Sequence, residues 1–104
     1  MLFHVDTKVS IERGREIEKA GGPGPAFAHL VERFRPQQFY FSAMERRTFM
    51  IVELDTPAKI AELMLVGTNL CGTEPQFTIV APVQDGAKII GEAMQNAAKA
   101  PKIG

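Results

Sequence analysis

Phe49-Met50-Ile51-Val52-Glu53-Leu54, followed at once by Asp55-Thr56-Pro57, is the stretch that decides the fold. The first part alternates large apolar side chains on both faces of an extended segment, as a strand does with its side-chain period of two. The second part is a helix start: a capping oxygen, then proline at the first helical position, where its missing N–H is no loss. Ile60, Leu63 and Met64 continue at helical spacing to about Val66, and Gly67 or Gly72 ends the helix. A strand therefore passes directly into a helix.

Working outward, the same two periods recur in a definite order. Upstream, Phe39–Met44 alternates again, and the charged Glu45-Arg46-Arg47 makes the turn of a hairpin. Phe27, Leu30, Val31 and Phe34 mark a helix over Ala26–Arg35, stopped by Pro36, which disfavours a helical residue before it. Met1–Val9 alternates Phe3, Val5, Thr7 and Val9 as a first strand, and Ser10 caps a short, highly charged helix reaching about Ala20. Gly21-Gly22-Pro23-Gly24-Pro25 separates that helix from the next. Downstream, Phe77–Val83 reads as a last strand. Asp85-Gly86 then caps an alanine-rich helix, roughly Ala87–Ala98, with Ile90, Met94 and Ala97 as its stripe, and Pro101 and Gly104 predict a frayed end. The order strand, helix, strand, strand, helix, strand predicts an α+β, ferredoxin-like βαββαβ domain over residues 1–104, with an antiparallel four-stranded sheet and an extra C-terminal helix.

A chain of 104 residues with 45% hydrophobic content supports one folded domain with a modest core. Twelve basic and twelve acidic residues cancel, which removes the electrostatic case for a nucleic-acid or anionic-membrane partner. Apolar runs such as Leu63–Val66 are too short to span a bilayer, and the first residues, without a basic region followed by an apolar stretch, give no expectation of a secretion signal. The single cysteine, Cys71, forms no internal disulfide, compatible with a cytoplasmic location.

Alternation also assigns faces. Phe3, Val5, Phe39, Phe41, Met50, Val52, Phe77, Ile79 and Ala81 form an apolar set, expected to pack against the two long helices. The opposite set mixes Leu2, Phe49, Ile51 and Val80 with His4, Asp6, Gln38, Tyr40, Ser42, Glu53, Gln76 and Thr78. Solvent does not call for the former, and a core does not tolerate the latter. This mixed face is expected to be a half-buried cleft formed when two such sheets pack together as a homodimer.

His4 and Glu53 share that face on adjacent strands, a pairing that can accept and donate protons when each tunes the other. A structural pair, or no contact, is the plainer reading. Asp6, Tyr40, Ser42, Phe49 and Thr78 are candidates to contact a small organic ligand. Cys71 has no base near it in sequence, so an inert thiol is the plainer reading there. His4 and His29 lack metal-ligand spacing, and no metal site is expected. Gly21–Pro25 lacks the Gly-Lys-Ser/Thr ending of a phosphate loop and reads as backbone punctuation. The arginines read as solvated helix and hairpin faces. The third strand matches an RNA-recognition pattern at Arg47, Phe49 and Val52 only, without its glycines and later aromatics, and Glu53 stands on the would-be RNA face.

Met1-Leu2-Phe3-His4-Val5 resembles the start of muconolactone isomerases. The block Arg47–Pro57, followed by a helix and then by Gln76-Phe77-Thr78-Ile79-Val80-Ala81-Pro82-Val83, is similar to small stand-alone proteins of the same dimeric α+β barrel superfamily. The Gly21–Pro25 break departs from the uninterrupted first helix of those isomerases. The resemblance implies two protomers packed sheet to sheet around a cleft for small organic ligands. It leaves two functions open: a cofactor-independent isomerase-like or monooxygenase-like enzyme using His4 and Glu53, or a non-catalytic ligand-binding or assembly module.

Overall fold

A computed structural model describes Met1–Lys102; the frayed end expected at Gly104 lies outside the described residues. The chain is an α+β protein with a four-stranded antiparallel sheet and four helices. The elements are β1 (Leu2–Lys8), α1 (Ile11–Lys19), α2 (Gly24–Phe34), β2 (Gln38–Ser42), β3 (Arg47–Glu53), α3 (Pro57–Cys71), β4 (Gln76–Ile79) and α4 (Gly86–Ala97), with a 3₁₀ turn at Val83–Asp85. The strand order is β2-β3-β1-β4. In the register, His4 lies opposite Ile51 on one side and Thr78 on the other, and Tyr40 lies opposite Phe49.

Local chemistry accounts for the element ends. Ser10 caps α1, its Oγ accepting the Arg13 N–H at 3.1 Å. At the other end Gly22 N–H donates to Ile17 O at 2.9 Å and Gly21 N–H to Glu18 O at 3.1 Å. This paired reach back into the last turn satisfies orphan carbonyls, and it needs the left-handed backbone that Gly21 adopts at φ 103°. Thr56 supplies the capping oxygen for α3, accepting from the Lys59 N–H at 3.1 Å. That helix runs through Gly67 to Cys71, past the expected end near Val66, and Gly72 at φ 72° closes it.

The core is Phe3, Val5, Met50 and Val52 from the central strands, with Leu54, Phe34 and Leu63, flanked by Leu30, Phe39, Ile60 and Phe77. Burying such side chains is worth about 1.5–3 kcal/mol each before the entropy of ordering them is counted. All the strand members belong to the face assigned to the helices. Two members of that set are corrected: Ile79 is 62% exposed, and Ala81 lies outside the sheet and exposed. Phe41 does meet Phe27 of α2 but is only half covered, beside a recess. The last strand also stops at Ile79 instead of Val83, because Pro82 has no N–H for a ladder and the chain turns into the 3₁₀ segment.

Ile79 stays open because α4 does not fold back over it. The substantial contacts of α4 are with the 3₁₀ turn before it. The molecule measures 56 × 32 × 28 Å with a radius of gyration of 17.5 Å. A compact chain of this length would have a radius of about 13 Å. The C-terminal helix is an arm.

Candidate functional site: the open face of the sheet

The helical members of the core cluster all pack on the Phe3–Val5 side. On the other side Leu2, His4, Asp6, Phe49 and Ile51 are half-buried by their sheet neighbours alone, and Tyr40 is 63% exposed. The expected mixed face is thus formed as one surface. Its residues come from β1 and β3 at the centre and from β2 and β4 at the edges.

The geometry at the centre is an arginine-led cluster. The Arg47 guanidinium stands 6.0 Å over the Phe49 ring, and its Nε lies 3.1 Å from Asp6 Oδ1. A second nitrogen reaches Glu45 Oε2 at 3.2 Å. The buried Nε is close enough to Asp6 for charge attraction, yet it makes no well-directed hydrogen bond. The His4 and Phe49 rings are tilted at 40° with centroids 6.1 Å apart. This patch offers an aromatic wall, an imidazole, a carboxylate and a guanidinium with unused donors, which suits a small molecule with an apolar body and a few polar groups.

The other candidates are distributed around it. Thr78, opposite His4 on β4, and Tyr40, opposite Phe49 on β2, are exposed on opposite flanks. Ser42 lies opposite Arg47 and is half-buried. Glu53 is opposite Leu2, which sets it diagonally from His4, a separation of about 7–8 Å between backbones. No hydrogen bond joins His4 and Glu53; the Glu53 carboxylate instead accepts from the Met1 amine at 2.6 Å. Arg47 is the group that sequence reasoning missed. Its signal was present: extending the β3 alternation backwards from Phe49 puts Arg47 on the mixed face.

Elsewhere, Glu62 and Arg33 form a paired hydrogen bond at 2.7 and 2.8 Å between α3 and α2. The hydrogen bond from Arg33 holds the Glu62 carboxyl below its ordinary range. Burial pushes the Cys71 thiol up, with Arg13 acting against it, in keeping with a thiol that is not an activated nucleophile. Among the described residues no group of three or more His, Cys, Asp or Glu is placed to hold a metal ion, and no helix is long and apolar enough to cross a membrane. Comparison with protein-family models, curated proteins and solved structures finds no match.

Proposed function

We propose that this protein is a homodimeric binder of small organic molecules, its cleft formed where the open sheet face meets a second copy. One observation carries the reading: Leu2, Phe49 and Ile51 are interleaved with His4, Asp6 and Arg47 on a sheet face that the helical core leaves uncovered. An apolar patch of this kind is unusual on a monomer, and polar groups spaced through it give a dimer cleft something to hold a ligand with. The strand order β2-β3-β1-β4, with helices following β1 and β3, supports a ferredoxin-like arrangement and a sheet-to-sheet dimer of the barrel type.

The α4 arm supports the same partner. Its Ile89, Ile90 and Met94 share one side with Ala93 and Ala97 at helical spacing, and all are exposed. A second copy, itself carrying an uncovered sheet and an uncovered arm, gives both surfaces cover in a closed twofold exchange. Binding is favoured over proton transfer because Glu53 stands a diagonal step from His4 and no hydrogen bond joins the two.

Sedimentation equilibrium tests the dimer, with Ile51→Lys as the perturbation. Ile51 lies outside the core cluster, so the variant is expected to keep its circular dichroism while shifting from dimer to monomer at micromolar concentration. A monomeric wild type under those conditions refutes the proposal. A thermal-shift screen of small organic molecules then reads the cleft: a compound that stabilises the wild type should lose its effect in Ile51→Lys and weaken in His4→Ala.

A further inference from the structure

The helix side of the sheet contains a second recess, remote from the face just described. There α1, α2 and the end of α3 fail to close over the β2–β3 turn. They leave a cavity of about 240 Å³ whose wall includes Ile17, Phe27, Leu30, Phe41, Leu70 and Cys71. The gap has a local cause. α1 is highly charged and contributes Ile17 as its one large apolar side chain to this wall, while the Gly21–Pro25 break lets α2 leave at its own angle. Phe27 and Phe41, with ring centroids 5.4 Å apart, form an aromatic side of the recess, and this is why Phe41 remains half exposed.

The charged residues lining this cavity are Glu18 and Arg46. They are not equivalent. Glu18 is exposed on α1 and free to turn to water, whereas Arg46 is half-buried and anchored. The Arg46 carbonyl accepts the Val9 N–H at 2.7 Å, and its Nε donates to Val9 O at 3.3 Å. Its backbone is held in the left-handed region at φ 51°, a conformation rare for a residue with a side chain. Arg13, Arg33 and Arg47 each have a carboxylate within ion-pair distance; among the described residues Arg46 has none, as Arg15 and Arg35 have none, but it alone of these three lines the cavity. A half-buried arginine, anchored at its backbone and Nε and with terminal guanidinium donors to spare, thus lines an apolar hollow.

We propose that this cavity is a binding site for a small monocarboxylate with an apolar body, its carboxylate on Arg46 and its hydrocarbon among Ile17, Phe27, Leu30, Phe41 and Leu70. A guanidinium presents parallel donors that match a carboxylate, and the resulting charge-assisted hydrogen bonds are stronger where water is partly excluded. The volume lies below the range of about 300–1,000 Å³ common for drug-sized ligands, which selects a smaller molecule. The site is on the opposite side of the sheet from the dimer cleft and stands independently of it.

Octanoate and its neutral counterpart octanamide test the site on the full chain, by calorimetry and by the rate at which a thiol reagent modifies Cys71. Cys71 is the sole cysteine and lines the cavity, so it reports occupancy locally. Octanoate should slow that modification severalfold and bind about tenfold or more tighter than octanamide. Arg46→Asn removes the charge while tolerating the left-handed backbone, and it should erase the preference. Ala26→Leu, placed on the cavity wall, should abolish binding and protection with the circular dichroism spectrum retained. Unprotected Cys71, equal affinity for the two probes, or octanoate binding unchanged in both variants overturns the proposal. If Ala26→Leu does not fold, Arg46→Asn with the Cys71 readout decides.

Discussion

Gly67→Ala is a substitution for which sequence and structure give opposite signs. Gly67 lies inside α3, and in an ordinary helix interior alanine is better than glycine by about 0.8–1.0 kcal/mol. Helix propensity alone therefore expects a more stable protein. In the folded chain Gly67 is buried, and a Cβ built on it would collide with the ring of Pro75, which is itself buried. A proline ring cannot swing aside as a long side chain can, so the helix or the loop over residues 72–75 must shift. Overpacking of this kind costs about 1–3 kcal/mol. Subtracting the propensity gain leaves a net loss of about 1–2 kcal/mol, since the rigid ring places the cost in the upper part of its range. For a domain of this size each kcal/mol lowers the unfolding midpoint by roughly 4–8 °C. Urea unfolding of Gly67→Ala, Pro75→Ala and the double variant forms the assay. The double variant should be more stable than the sum of the single effects, because Pro75→Ala makes room for the new methyl. A Gly67→Ala protein more stable than the wild type refutes the close approach of α3 to Pro75.

The arm should be the first part of the fold to yield. In the single chain, limited proteolysis is expected to cut first between Val80 and Ala98, ahead of Gly21–Pro25, since α4 has little packing to hold it. First cleavage inside α3 contradicts this. Glu62→Gln should weaken the joint between α2 and α3 modestly, because the pair is exposed. The depressed Glu62 carboxyl gives the sign: its contribution is present above the ordinary carboxylate pKa and is lost as pH falls through its lower folded value. The stability difference between wild type and Glu62→Gln should therefore shrink on acidification, and a constant difference from neutral to acid pH disproves the assignment.

Much of the candidate site was legible before any tertiary contact was known. Strand periodicity put His4, Asp6, Tyr40, Ser42, Phe49, Glu53 and Thr78 on one face, because a side chain in a strand can point only one of two ways. It could not say which of them meet. Glu53 sits a diagonal step from His4 and binds the Met1 amine, whereas Arg47 comes to lie between Asp6 and Phe49. These outcomes depend on register, which the hairpin turn and the pairing of β1 with β3 set.

What the sequence determined by itself is local. Thr56-Pro57 starts α3, Gly21 and Gly22 end α1, Pro36 follows the end of α2, and two side-chain periods sort the apolar residues into a core face and a mixed face. Each follows from backbone sterics or from hydrogen-bonding groups a few residues apart. Tertiary structure alone decided that Gly67 serves as a contact surface for Pro75, that Arg46 borders a hollow, and that Ile79 stays open. It also decided that α4 stands away from the body. An amphipathic helix announces that one side wants cover; where that cover comes from depends on the path of the chain after Ile79, and Pro82 with the 3₁₀ turn directs that path away from the sheet.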